Sequence, residues 1–234
     1  MSVADHNADS YSSSKKRLRK IQWGFDFISS FYDTLSSVFF GKKLRLAQSF
    51  LLKDLPPAHA VLILGGGTGR LISDLEKWQQ SERVYYLDIS PKMIERASER
   101  LAREFPERVG AYEFICGSFE DQCLTDKFDL IITPFVLDCF RNQDLPMVIE
   151  TLKQRLHEDG RWLFTDFHIS EKGFARLFSG WMVRGLYFFF NMTCGLGIRR
   201  LPDFEKYFKE AGFYPVLTKS FNSGSLKSII YSRQ

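Results

Sequence analysis

The sequence predicts an α/β fold, a doubly wound sheet of seven strands that is mostly parallel with its last strand antiparallel, under an N-terminal helical cap. Three observations predict it. The β-prone run Val61-Leu62-Ile63-Leu64 gives way to Gly65, Gly66, Gly67 and Gly69, and then to a helical stripe at Leu71, Ile72 and Leu75. Val84 to Ile89 forms a second apolar run and carries the acid Asp88, which falls about twenty residues beyond the glycines. Further apolar runs alternate with helical patterns to the end of the chain.

The 234 residues suit one sizeable core with a small cap and are too few for two ordinary domains. Hydrophobic residues at 44% and charged residues at 26% are ordinary for a globular chain, and a net charge of +4 does not demand nucleic acid. The 23 phenylalanines exceed what a sheet core needs. Cys116, Cys123, Cys139 and Cys194 have neither C-x-x-C spacing nor a framework, which implies reduced thiols in a cytoplasmic protein. His6, His59 and His157 have no clustered partners, so no metal site is expected. No secretory signal is read at the start. The run from Leu186 to Ile198 is shorter than the ~20 residues a spanning helix needs, which excludes a transmembrane segment and leaves peripheral membrane contact open.

Residues 1–14 are polar and serine-rich and read as a disordered tail. Residues 15–57 read as the helical cap. It opens with the basic run Lys15 to Lys20, either a solvated helix start or a dock for acidic lipid or RNA. Aromatic-rich helical pattern follows from Ile21 to Leu55, divided at Gly41 and stopped by Pro56-Pro57. Its apolar surface exceeds what two helices bury by themselves, so the cap should lie across the ligand edge of the sheet. Residues 58–234 form the remaining domain, with a helical insertion at 171–200.

Within that domain the glycine turn needs residues without a Cβ, so that a ligand can approach the backbone. A dinucleotide fingerprint would require glycine where Arg70 stands; the chain instead has G-x-G-x-G at Gly65, Gly67 and Gly69. Ser90 and Pro91 cap and start the next helix. Strands follow at Tyr112 to Cys116, from Phe128 and from Arg161 to His168, and a helix spans about 144–157 with Gly160 as its stop. Strands at about 213–220 and 225–232 close the sheet as a hairpin.

The glycine turn resembles the first motif of the class I S-adenosylmethionine-dependent methyltransferases. Asp88-Ile89-Ser90 with Met93-Ile94 is similar to their second motif, and Phe128 to Phe140 to the element lining their transfer pocket. Phe31-Tyr32-Asp33 with Leu44-Arg45 looks like the N-terminal segment of the ubiquinone/menaquinone-type small-molecule enzymes. The resemblance covers residues 60–232 and implies a Rossmann-like fold, S-adenosyl-L-methionine as cofactor and S-adenosylhomocysteine as product. It places Gly65, Gly66, Gly67 and Gly69 at the methionine moiety, and Asp88 with Ile89 at the ribose. Met93, Gly117, Ser118 and Phe119 fall at the adenine, Pro134 and Phe135 at the sulfonium, and Tyr32 is either a ligand contact or a core aromatic. The chain departs from the family at Ile63 and Ser118, where relatives carry acids.

Two further residues are candidate catalytic groups. Asp138 is either a base toward a phenol or enol or the cap of the following helix, and His168 either a base or an ordinary strand-end histidine. Phe174 to Met192 reads as a helix apolar nearly all round, which must be buried or must line an apolar pocket. The function these residues imply is methyl transfer to a small lipophilic or aromatic acceptor at O, N or activated C. The alternatives are a non-catalytic S-adenosylmethionine-binding regulator or partner and, less favoured, an RNA methyltransferase. The oligomeric state is not set by these residues.

Overall fold

A computed structural model describes residues 17–29, 42–119, 126–170, 173–198 and 200–233, with side chains omitted at 173–176 and 178. The expected disordered tail, Tyr32, Gly41 and Cys123 lie outside the described residues. In chain order the elements are helix α1 at 17–29, α2 (Lys43–Ser49), β1 (Ala60–Leu64), α3 (Ile72–Trp78), β2 (Arg83–Asp88) and α4 (Pro91–Glu104). There follow β3 (Tyr112–Cys116), β4 (Phe128–Pro134), α5 (Leu145–Arg155), β5 (Leu156–Phe167), α6 (Gly173–Cys194), α7 (Phe204–Glu210), β6 (Phe213–Phe221) and β7 (Leu226–Arg233).

The seven strands form one sheet in the order β3-β2-β1-β4-β5-β7-β6, and only β7 runs antiparallel to its neighbours. This is the architecture expected from the sequence. Strand order reverses between β1 and β4, where open α/β sheets form a crevice at the carboxyl ends of their strands.

The apolar run of β1 is continuous because the strand is covered on both faces. Leu62 and Leu64 enter a core shared with α5 and α7, while Val61 and Ile63 enter a second core beneath α3 and α4. Part of the phenylalanine content is spent in the first core. Trp162, Phe164, Phe208, Phe213 and Tyr231 pack there in stacked and edge-on pairs 4.1–6.5 Å apart.

Ser90 accepts from Met93 N at 3.2 Å with Pro91 at the first helical position, which starts α4 as its sequence implies. Gly160 is not a helix stop. Helix α5 ends at Arg155, Leu156 turns straight into β5, and Gly160 lies inside that strand. A Cβ at Gly160 would stand 2.7 Å from Leu156 Cδ1, so glycine serves packing there.

A third core joins the cap to the sheet through Ile21, Ile28, Leu44, Ala47, Phe167 and Val183. Ala47 O accepts from Ser228 Oγ at 2.5 Å, which ties α2 to β7. Helix α1 lies so close to α6 that a Cβ on Gly24 would stand 2.3 Å from Cys194 Cα. Expanding that position should therefore detach α1 while the sheet persists. In a Gly24→Leu variant, trypsin should cut rapidly after Arg19 and Lys20 and spare the sheet. An unchanged digestion pattern would contradict the packing.

Candidate functional site

A cavity opens at the carboxyl ends of β1, β2 and β4, where strand order reverses, and helices α1 and α2 cover it. Its floor is the glycine turn. Gly65, Gly67 and Gly69 have φ of +73°, +62° and +80°, a region that residues with a Cβ rarely occupy. Each also meets a different steric demand. A Cβ on Gly65 would lie 2.5 Å from Val136 and one on Gly69 2.8 Å from Ala97 Cα, so these two fit the turn against the loop after β4 and against α4. At Gly67 a Cβ would meet nothing within 4 Å, so this glycine bares its backbone to open space. Gly66 lies against the Tyr86 ring, 2.2 Å from where its Cβ would stand.

Asp88, at the tip of β2, locks this turn. Its Oδ2 accepts from Gly67 N at 2.9 Å and its Oδ1 from Ser90 N at 3.0 Å, which joins the glycine turn to the start of α4. Burial pushes the Asp88 carboxyl above its ordinary range, opposed by those two backbone donors. Each oxygen still has acceptor capacity, because a carboxylate offers about four lone-pair sites.

Most of the sequence-implied cofactor residues come together here. Gly65, Gly66, Gly67, Asp88, Ile89, Met93, Gly117, Ser118, Phe119 and Pro134 all line the cavity. Gly69 shapes the turn from behind. Ile63, where relatives carry an acid, is fully buried in the core beneath α3 and α4 and does not line the cavity.

The structure places the two catalytic candidates away from the glycine turn's cavity. His168 lines a separate groove with Asp203, Glu205 and Lys227, on the far side of β5 from the glycine turn. Asp138 neither lines the cavity nor caps α5, whose N-cap is Asp144. It is buried in the turn Leu137–Cys139, where Asp138 N donates to Asp166 Oδ2 at 3.2 Å. Burial pushes both carboxyls upward, and the Asp138 charge pushes Asp166 further. The thiol of Cys139, which does line the cavity, is pushed up by burial and then by Asp138 and Asp166.

Several cavity residues had no motif to announce them. Arg17, Leu18, Ile21 and Phe25 of α1 face it, and their spacing of one, three and four residues is a helical face that the sequence does display. Gln48 comes from α2. Asp26 sits on α1 and accepts from Ser90 Oγ at 2.6 Å, fastening the cap to the α4 start. Phe135 has φ of +54°, a left-handed backbone held by Phe135 N donating to Thr165 O at 2.7 Å and by its ring against Phe167, 5.0 Å between centroids.

Residues 61–160 match the family model described as a methyltransferase domain. The chain is 26% identical over 136 residues to a malonyl-[acyl-carrier protein] O-methyltransferase of Anoxybacillus flavithermus, spanning 58% of this chain and 48% of that protein. It is 34% identical over 88 residues to a polyamine aminopropyltransferase of Saccharolobus solfataricus, 38% of this chain and 25% of that one. The chain thus spans half or less of the curated relatives it matches. Among solved structures, the mitomycin 7-O-methyltransferase superposes with a TM-score of 0.66 at 16% identity, over 96% of this chain and 68% of the other, a likeness of fold.

The acid pair has a measurable consequence. A carboxyl whose pKa is raised by folding stabilises the fold below its unfolded value near 4 and loses that contribution as pH rises through the folded value. Asp138→Asn leaves Asp166 without a charged neighbour, so the melting temperature of the variant should fall less than that of the parent between about pH 5 and pH 8. Equal falls in both proteins would show that the two acids do not share a site.

Proposed function

We propose that this chain, whose residues 61–160 match a methyltransferase-domain model, is a class I S-adenosylmethionine-dependent enzyme that transfers a methyl group to a small lipophilic or aromatic acceptor. The observation that carries the reading is the juxtaposition of Gly67, bare toward open space, with the Asp88 carboxylate bonded to its N–H.

The residues present fit the cofactor. Gly65 to Gly67 offer backbone to the methionine end, and Asp88 keeps acceptor capacity for ribose hydroxyls. Met93 and Phe119, both buried, give an apolar bed for adenine, with Ser118 standing where relatives carry an acid. Arg17, Arg45 and Arg70 line the same cavity, Arg45 bonded to Asp74, and place positive charge near the end where a cofactor carboxylate would lie. When bound, S-adenosylmethionine supplies an electrophilic methyl on a sulfonium, which departs as a neutral thioether.

What remains for the chain is alignment and exclusion of water. Orientation of this kind is worth up to ~7–11 kcal/mol of barrier. The apolar walls from Leu18, Ile21, Phe25, Phe135 and Phe140 perform both tasks and favour an acceptor with an apolar body. With Asp138 and His168 outside the cavity lining, the general-base role goes to neither, and the acceptor is one that has lost its proton by its own ionisation before the methyl is transferred. The mitomycin-modifying neighbour supports a small-molecule acceptor.

Asp88→Asn should raise the dissociation constant for S-adenosylhomocysteine about tenfold or more in isothermal titration, since charge-assisted hydrogen bonds are worth ~1.5–3 kcal/mol. Unchanged affinity would remove Asp88 from the site. With methyl-labelled S-adenosylmethionine and a panel of quinols and phenols, label should move to a small molecule. Tight cofactor binding with no transfer to any acceptor, including lipid extracts, would favour the non-catalytic reading instead.

A further inference from the structure

The apolar pattern of α6 implied complete burial or a pocket wall, and the structure gives neither. Val183, Tyr187 and Cys194 are buried, but Leu177, Trp181, Phe188 and Met192 are 67%, 79%, 70% and 72% exposed. Their spacings of four, seven and four residues set them on one face, a row about 22 Å long at 1.5 Å per residue. Helix α1, packed on α6 at Gly24 and through Phe25 against Phe190, adds Trp23 and Phe27, both exposed and stacked 5.9 Å apart. Exposed apolar residues scattered singly need no explanation, but a row of this extent does.

Charge identifies what covers it. From Lys172 to Pro202 the chain contains no aspartate or glutamate. Arg184 is exposed beside the apolar row and has no acidic partner among the described residues, and Arg19 and Lys20 are exposed on α1. The single acid of α1, Asp26, is engaged with Ser90 Oγ at 2.6 Å. An apolar row bordered by cations and free of anions complements a surface that is apolar beneath and anionic above. A protein partner would need an acid placed opposite each of these cations, whereas an anionic bilayer supplies negative charge all along the row. No described helix is long and apolar enough to cross a membrane, so the row would lie in the plane of one.

We propose that the exposed faces of α6 and α1 dock this protein on an anionic lipid bilayer, with the rings and Met192 in the acyl boundary and Arg184, Arg19 and Lys20 at the phosphates. The same α1 helix lines the cavity through Leu18, Ile21 and Phe25, so docking sets the cavity wall at the lipid surface. An acceptor dissolved in the membrane could then enter without crossing water. Only that last purpose rests on the methyl-transfer reading; the docking itself does not.

The test is co-sedimentation of the full chain with vesicles of phosphatidylcholine, alone or mixed with phosphatidylglycerol, with S-adenosylhomocysteine affinity measured on the same samples. Binding should be about tenfold or more tighter to the anionic vesicles, as expected from about 1 kcal/mol per basic residue near the surface. Trp181→Ser with Phe188→Ser, both on the exposed face, should abolish it, and Arg184→Glu should weaken it on anionic vesicles alone. Both variants should keep S-adenosylhomocysteine affinity, which shows them folded. Failure to bind either vesicle, equal binding to both, or a vesicle-indifferent dimer that the double variant dissociates would overturn the proposal. Loss of vesicle binding with cofactor affinity intact would leave the methyl-transfer reading standing.

Discussion

The site depends on one hydrogen bond, from Gly67 N to the Asp88 carboxylate. A turn with three left-handed glycines gives up most of its backbone freedom when it folds, and glycine has more to lose than any other residue. Something must hold it. Asp88 does so by accepting from the turn on one oxygen and from the start of α4 on the other. Packing sets the rest of the turn, with Gly65 against Val136 and Gly69 against Ala97. The same carboxylate is thus a structural tie and the acid nearest the bared backbone, and this double use explains why it is buried in spite of the cost to its ionisation.

Around that tie the chain has built an apolar cover. Helix α1 reaches the cavity from one side and is itself fastened to the start of α4 through Asp26, so the cap and the glycine-turn cavity share the Ser90 region. Helix α6 backs the cap from behind. Its inner face completes the third core, and its outer face carries the apolar row that leaves the sheet domain with an exposed, cation-bordered surface. The alignment that the proposed methyl transfer would ask of the protein suits walls that are aromatic and aliphatic in the main.

The sheet was legible in the sequence because its signals are local. Buried parallel strands read as unbroken apolar runs, and a left-handed turn reads as glycine. Ser90 and Pro91 announced the α4 start by chemistry that needs no tertiary partner. The failures are tertiary. Gly160 looked like a helix stop, yet its glycine answers to the nearby Leu156 side chain within a strand that begins earlier than periodicity shows. Asp138 and His168 stand next to strand ends in sequence, and only the fold shows that the turn at Leu137–Cys139 buries one against Asp166 while the place of β5 in the sheet sets the other in a different groove. The α6 stripe showed how much apolar surface there was and could not show which side the core would take.

The most direct measurement is a crystal structure of the chain soaked with S-adenosylhomocysteine. Density should fill the crevice over Gly67, with the ribose hydroxyls within hydrogen-bond distance of Asp88 and the adenine between Met93 and Phe119. A crevice that stays empty at saturating ligand, or density that lies away from the β2 tip, would contradict the account.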